Sequence, residues 1–223
     1  MVELAALEIA DRPEAWAGLG FAVEDGSCRI GQVSHQLAGT PAPAGERPSK
    51  GIVSWSLAGL DQDRPGGDTS GIDGLNTRPV NGAIPDPVAP PRHRNGTLVI
   101  DHVVVFTPDL ERTARALSEA GCRERRRRHA QTYGREMVQV FFRLGEVVLE
   151  VVGGPQPSGD GPARFFGLAF TVADLDATAR YLGDRLHPAK GAVQPGRRIA
   201  TLDRGAGSTV AMAFMSPGPV DYT

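Results

Sequence analysis

An imidazole and a carboxylate stand out because both fall in segments that otherwise read as apolar strands. His102 occurs within IDHVVVF and Glu150 within EVVLEVV. Alternate residues of a strand share a face, so His102 is expected beside Val104, and Glu150 beside Val148. On such half-apolar faces both polar groups would lose solvation unless a partner replaced the water. A divalent metal (zinc, iron, nickel or manganese) or a hydrogen bond to a neighbouring side chain would serve, and either group could act as a general acid or base.

A second source of chemistry is the arginine-rich run CRERRRRHA at 122–130. In a strand, Arg125 and Arg127 would share one face and Arg126 and Arg128 the other. If the face with Arg125 and Arg127 lines a binding site, the ligand is expected to be anionic, because guanidinium groups bind carboxylate or phosphate in a bidentate manner. The alternative is that these charges only protect a sheet edge against aggregation.

Aromatic residues could supply the apolar wall of such a site. Phe106 and Phe142 are the candidates for contact with a small-molecule ligand, although large aromatic side chains are core residues by default.

The elements that must position these residues repeat along the chain. The segment 103–121 (VVVFTPDLERTARALSEAG) is matched by 168–183 (LAFTVADLDATARYLG), with the DL and TARxL motifs offset by 65 residues. Each copy predicts a strand followed by a helix, for which Asp174 suits the N-cap and Pro108 the first turn. Three β-rich runs follow each helix. The sequence therefore predicts two βαβββ repeats, at 97–155 and 163–218.

The amino-terminal part is predicted to hold a shortened version of the same repeat. RIGQVSHQLAGT near its end is a near-echo of RLGEVVLEVVGG, the closing hairpin of the first full repeat. The range 1–62 is expected to form this shortened repeat plus an extra strand, GIVSWSLAGL. Pro, Gly, Asp and Asn dominate 63–96, which is expected to be a linker. The fold class is therefore α+β, with mixed sheets.

Paired βαβββ repeats with IDHVVVFTPDLERT at the first strand and RLGEVVLEVVGG at the last resemble the vicinal oxygen chelate superfamily, which includes glyoxalase I, the extradiol dioxygenases and the bleomycin-resistance proteins. The resemblance implies that the sheets curl into an open cup and that metal ligands lie on the first and last strands of each repeat, facing the cup.

Carried onto this sequence, the implied ligand positions are His102 and Glu150 in the first full repeat and Gly167 and Ala213 in the second. Gly and Ala offer no side-chain donor, whereas a catalytic metal normally keeps at least three protein ligands. Gln36, at the equivalent last-strand position of the amino-terminal repeat, is the candidate third ligand.

Two classes of function follow from this resemblance. In the first, His102 and Glu150 hold a divalent metal and catalyse a lyase, isomerase or dioxygenase reaction. In the second, the chain is a metal-free protein that binds or sequesters a small organic molecule, as bleomycin-resistance proteins do.

Composition narrows the partners. The chain has 223 residues, 40% of them hydrophobic, and a formal net charge of −2, so it has no overall positive field to attract nucleic acid or an anionic membrane. No apolar run approaches the roughly 20 residues that span a bilayer. We expect a cytoplasmic protein with a small-molecule partner, and a homodimer would cover the sheet edges that a lone curled sheet leaves exposed.

Overall fold

The structure is a computed structural model, and it describes residues 1–39, 50–60, 71–82, 91–132 and 134–218. The elements of these ranges, in chain order, are β1 (Glu3–Ile9), α1 (Pro13–Gly18), β2 (Ser27–Ile30), β3 (Val33–Leu37), β4 (Ile52–Ala58), β5 (Gly71–Ile72), β6 (Leu75–Val80), β7 (Thr97–Phe106), α2 (Leu110–Glu119), β8 (Arg123–Thr132), β9 (Arg135–Leu144), β10 (Val147–Gly153), β11 (Arg164–Val172), α3 (Leu175–Leu182), a 3-10 helix (Gly183–Arg185), β12 (Lys190–Gly191), β13 (Arg198–Thr201) and β14 (Ala211–Met215).

This element order confirms the α+β class. The series β7-α2-β8-β9-β10 and β11-α3-β12-β13-β14 have the βαβββ order predicted from the internal repeat. The amino-terminal series is shorter, β1-α1-β2-β3, and the alternating segment after it forms β4.

Aspartates begin both helices of the full repeats. The Asp109 side chain accepts a hydrogen bond from the Arg112 amide, and the Asp174 side chain accepts from two amides of the first turn of α3. Such caps satisfy amides that have no partner within the helix. The sequence predicted Pro108 in the first turn of this helix. Pro108 lies instead before the N-cap, because Asp109 takes the cap position and the helix starts at Leu110.

The range 63–96 contains regular structure where a linker was expected. Strands β5 and β6 pair antiparallel across a two-residue turn, and β6 also runs parallel to β4. Both turn residues have positive φ, 50° at Asp73 and 88° at Gly74, as a hairpin turn of type I′ requires. Leu75 and Thr77 are buried on alternate positions of β6. The sequence did not predict β6 because the strand is short and the residues around it are rich in Gly and Pro.

The chain divides into two compact units. Unit 1 comprises residues 1–8, 52–86 and 102–167, and unit 2 comprises residues 9–51, 87–101 and 168–223. Unit 1 contains two runs of neighbouring strands, β1-β4-β6-β5 and the second half of β7 with β10-β9-β8. Unit 2 contains β2-β3, the first half of β7, and β12-β13-β14 with residues 168–172 of β11.

Each unit has its own core. In unit 1, helix α2 contacts β8 and β10, and the strand residues Val103, Val105, Leu149 and Val151 are fully buried. In unit 2, aromatic rings cluster around Phe21, whose ring centroid lies 4.8 Å from that of Trp16 and 5.3 Å from that of Phe170. None of the helices in the described ranges combines the length and apolar character needed to cross a membrane.

Candidate functional site

The candidate site is one face of the run β7-β10-β9-β8 in unit 1. Strand β10 runs parallel to β7 and antiparallel to β9, and Glu150 stands opposite Val104 on one side and Phe141 on the other. Residues that stand opposite each other in a sheet project from the same face. The next strand adds two arginines to this face, because Arg126 is opposite Phe141 and Arg128 is opposite Gln139. We call it the His102 face; its polar and aromatic members include His102, Phe106, Glu150, Gln139, Phe141, Arg126 and Arg128.

The structure brings His102 and Glu150 together. His102 Nε2 lies 3.5 Å from Glu150 Oε2, and the two side chains are 17% and 12% exposed. Residues far apart in sequence meet because β7 and β10 are adjacent parallel strands, with His102 opposite Val148. The pair is therefore close to solvent without being freely exposed to it.

Two further side chains continue this pair into a row that the sequence did not reveal. Gln139 Nε2 donates a hydrogen bond to Glu150 Oε1, and Gln139 Oε1 accepts one from Arg128 Nε at 2.7 Å. A guanidinium group can only donate, so Arg128 fixes which way the Gln139 amide points. Both oxygens of Glu150 consequently face a protein partner, Gln139 on one side and His102 on the other.

Arg126 and Arg128 both lie over the Phe141 ring, with guanidinium carbons 4.8 Å and 5.6 Å from its centroid. Burial is the main cause that lowers the pKa of Arg128; the negative charge of Glu150 opposes it, and the positive charge of Arg126 acts in the same direction as burial. The His102 face thus carries two guanidinium groups next to each other.

The arginines expected to contact a ligand are placed differently. Arg127 lies on the opposite face, where its side chain pairs with Glu111 of α2 and with Glu124 at 2.8 Å. Arg125 falls at a register shift between Glu124 and Arg126, where β8 has a bulge and one residue has no opposite number in β9. The alternation correctly separated Arg127 from Arg128, but it carried no information on which set faces the site.

The two predicted aromatic residues also divide between the faces. Phe142 is fully buried and stands opposite Leu149, on the side that does not carry Glu150. Phe106 is 40% exposed on the His102 face, and its ring centroid lies 4.5 Å from that of Phe166, which is 50% exposed. Only Phe106 is therefore placed to meet a ligand.

A cavity of about 630 Å³ lies beside the row of polar side chains. Its apolar wall includes Phe106, Met137 and Val152, and Val152 is the next residue after Glu150 on the same face of β10. Its charged lining residues are Glu136 and Arg164, and Thr107 and Ser158 add hydroxyl groups. His102 and Glu150 are beside this cavity and not in its lining.

The donor set does not fit the divalent metal that the resemblance implies. Gly167 and Ala213 supply no side-chain donor, and no group of three or more His, Cys, Asp or Glu side chains that could hold a metal occurs among the described residues. Gln36 belongs to unit 2, and its amide nitrogen donates to Ser34 Oγ at 3.1 Å. Within the row, Gln139 directs its nitrogen, not its oxygen, towards Glu150. Two donors are fewer than the three that a catalytic site normally holds.

Comparison with known proteins places the geometry in context. Residues 101–201 match the family model described as Glyoxalase/Bleomycin resistance protein/Dioxygenase superfamily. The chain matches none of the curated proteins.

Solved structures with the same fold cover nearly the whole chain. A mutant of 4-hydroxymandelate synthase from Streptomyces coelicolor is 15% identical, with a TM-score of 0.60 over 97% of this chain and 92% of that one. Homoprotocatechuate 2,3-dioxygenase from Arthrobacter globiformis is 13% identical, with a TM-score of 0.60 over 100% of this chain and 83% of that one. Methylmalonyl-CoA epimerase from Mycobacterium tuberculosis is 18% identical, with a TM-score of 0.44 over 56% of this chain and 91% of that one. At these identities the first two establish the fold, including its amino-terminal part.

Proposed function

We propose that the chain, whose residues 101–201 match the model of the Glyoxalase/Bleomycin resistance protein/Dioxygenase superfamily, is a member of that superfamily that binds a small organic molecule on the His102 face of unit 1 and does so without a metal ion. The observation that carries the proposal is the closed row Arg128, Gln139, Glu150 and His102, in which each polar side chain already has a protein partner.

The apolar part of the proposal rests on the cavity. Its volume of about 630 Å³ lies within the range of about 300–1,000 Å³ usual for small-molecule sites. Such sites combine a mainly apolar wall with a few fixed polar groups. Phe106, Met137 and Val152 supply the wall, and the neighbouring row supplies polar groups whose orientation is set before a ligand arrives.

The metal-dependent alternative is weaker for a chemical reason. A divalent ion bound by His102 Nε2 and Glu150 Oε2 would find no third side-chain donor in the row, because Gln139 directs its nitrogen towards Glu150, and it would lie close to the positive charge of Arg128. Glu150 would then be the only anionic ligand of the ion, because the other donor, His102, carries no negative charge. A lyase, isomerase or dioxygenase reaction that depends on a metal is therefore not the function we favour.

Metal content measures the first half of the proposal. Chain purified without chelators would be dialysed against zinc, nickel and manganese salts, and separately against ferrous iron without oxygen, and then analysed by inductively coupled plasma mass spectrometry. We expect the wild type and the His102→Ala, Glu150→Ala double variant to retain the same small amount of each metal. One equivalent in the wild type that the double variant loses would refute metal-free binding.

Binding itself is tested with a screen of small aromatic and aliphatic compounds followed by amide shifts in NMR spectra. Binding compounds are expected to shift amides of β7, β9 and β10. Met137→Trp should abolish binding by filling the cavity, since Met137 lines it. The control Val193→Trp adds the same residue at a position that is 73% exposed and does not line the cavity, and it should bind normally. Compounds that bind equally well to Met137→Trp would place the site elsewhere.

A further inference from the structure

We propose that Arg126 and Arg128 bind the anionic group of the ligand, a carboxylate or a phosphate, while its apolar part occupies the cavity beside Phe106, Met137 and Val152. This inference rests on the proposed function and adds the chemical class of the ligand: an amphipathic organic anion.

The first argument is the position of two like charges on one ring. Arg126 and Arg128 both lie over the Phe141 ring, and the charge of Arg126 helps to lower the pKa of Arg128. Within the described residues neither guanidinium makes an ion pair, whereas Arg127, between them in sequence, pairs with both Glu111 and Glu124 on the opposite face. Glu150 acts on Arg128 only across Gln139, so two adjacent cations without a direct ion pair remain able to attract an anion between them.

The second argument is the supply of hydrogen-bond donors. Arg128 directs Nε and Nη2 to Gln139. Among the described residues its Nη1 has no hydrogen-bond partner, nor has the guanidinium of Arg126. A guanidinium carries five N–H donors in a planar fork that matches the oxygens of carboxylate and phosphate. Gln139 and Phe141 hold Arg128 in place, which reduces the entropy lost when a ligand is bound.

The third argument is the distance to the cavity. Ala130 stands opposite Met137, which lines the cavity, and Arg128 is the preceding residue on the same face. Gln139, opposite Arg128, is in turn opposite Val152 of the cavity wall. Successive residues on one face of a strand are about 6–7 Å apart. A ligand with one or two rings and a short acidic arm would span from the cavity to the arginines.

Edge protection explains the same charges differently, because β8 is the last strand in its run. Edge protection requires only exposed charge on the strand, on either face of the sheet. It therefore predicts the same effect whichever arginine is removed. The two explanations therefore differ in what a single substitution on each face would do.

The test uses naphthylacetate and naphthyl phosphate as anionic probes, naphthylacetamide as the neutral probe, and the full chain. Affinity is measured by calorimetric titration, and NMR amide shifts locate the bound probe. We expect one or both anions to bind more tightly than the amide, with shifts in β8, β9 and β10. Arg126→Gln should weaken anion binding about tenfold and leave the amide unchanged, since one charge-assisted contact is lost. The matched control Arg127→Gln removes the same charge from the opposite face and should change neither affinity by more than about twofold.

The outcomes separate this inference from the function beneath it. If only one anion responds to Arg126→Gln, that anion gives the ligand's acidic group. Binding of the amide as tight as that of both anions, or equal effects of Arg126→Gln and Arg127→Gln, would overturn the anion site while leaving a small-molecule cavity. If none of the three probes binds in the cavity, this inference is wrong for aromatic anions, and the screen with Met137→Trp decides separately whether the cavity binds any small molecule.

Discussion

Gln139 has an unusual position for an uncharged residue, because it connects a cation to an anion. Its oxygen accepts from Arg128 and its nitrogen donates to Glu150. Without it, Glu150 would keep its contact with His102 alone. The arrangement of these side chains therefore depends on Gln139, a residue that no sequence pattern selects.

Replacement of this amide should cost stability. Gln139→Leu keeps a similar volume but removes two hydrogen bonds of Arg128 and one of Glu150, which we expect to lower the free energy of unfolding by about 1–2 kcal/mol. Urea denaturation measures the change. Gln131→Leu, at an exposed position of β8, serves as the control and should cost less than about 0.5 kcal/mol. Equal losses in the two variants would mean that the row has no special role.

The sequence anticipated part of this arrangement and missed part of it. His102 and Glu150 could be chosen because a polar residue within an apolar strand needs a partner, and the structure brings them within 3.5 Å. The choice between Arg127 and Arg128 could not be made, because alternation separates two faces without identifying either. One usable signal is the pair Gly134 and Gly145, which lie next to the two ends of β9. Counting back from the Gly134 end places Arg128 opposite Gln139.

The turn of the β5–β6 hairpin binds helix α2 through the side chain of Asp73. The Asp73 carboxylate accepts from Arg112 Nε at 2.7 Å and from the Thr113 hydroxyl, both on α2. The same guanidinium donates to the Gly161 carbonyl at 2.6 Å. Because Gly161 lines the cavity, the hairpin turn supports a wall of the candidate site from behind.

Loss of the Asp73 carboxylate should therefore weaken both stability and binding. Its side chain is 10% exposed and that of Arg112 is 33% exposed, so Asp73→Ala leaves a half-buried cation unpaired and should cost about 2–3 kcal/mol. A double-mutant cycle with Arg112→Ala, measured by chemical denaturation, is expected to give a coupling energy of about 1–2 kcal/mol. Additive losses would contradict the interaction. Asp73→Asn, which also tolerates positive φ, isolates the contribution of the charge.

The N-cap side chain of helix α3 accepts more hydrogen bonds than that of α2. Asp174 accepts from the amides of Asp176 and Ala177 at 2.9 Å and 3.0 Å, whereas Asp109 accepts from a single amide. Asp174→Ala is expected to cost about 1 kcal/mol of unfolding free energy in thermal or urea denaturation, and Asp174→Ser should restore most of it. If serine fails to restore stability, the aspartate acts through its charge and not as a cap.

Element prediction succeeded where a pattern was long enough to repeat. The 65-residue offset predicted both helices and their following strands, and the Asp174 cap was predicted from the motif, whereas the equivalent Asp109 cap was not. It failed at β5 and β6, where composition outweighed pattern. The tetrad Ile72-Asp73-Gly74-Leu75 carries the Asp-Gly signal of a two-residue hairpin between apolar residues, and that signal was present in the expected linker.

For the molecule as a whole, the buried histidine of unit 2 predicts how stability varies with pH. His35 is fully buried, and its Nδ1 donates to the Cys28 carbonyl at 3.0 Å, which leaves Nε2 without a hydrogen-bond partner among the described residues. Burial is the main cause that lowers its pKa to about 4 from the ordinary 6.5. Burial also lowers the pKa of His93, whose charge would add to the effect on His35.

A histidine whose pKa falls on folding binds its proton more readily in the unfolded chain. The free energy of unfolding should therefore be constant with respect to His35 above pH 6.5 and fall as the pH decreases towards 4, by up to about 3 kcal/mol. Urea denaturation at a series of pH values measures the slope. In His35→Gln the slope should be reduced, with the remainder due to His93 and the carboxylates. An unchanged slope in that variant would assign the dependence to other groups.

The division of the chain has a consequence for how it is made. Three segments of unit 1 alternate along the sequence with three segments of unit 2. During synthesis on a ribosome, unit 1 has all of its residues only when Gly167 has emerged. Unit 2 begins with residues 9–51, but its last segment begins at Leu168 and is synthesised later still. The apolar side chains of early strands such as β2 and β3 therefore cannot be covered by the rest of unit 2 until the last quarter of the chain has been synthesised.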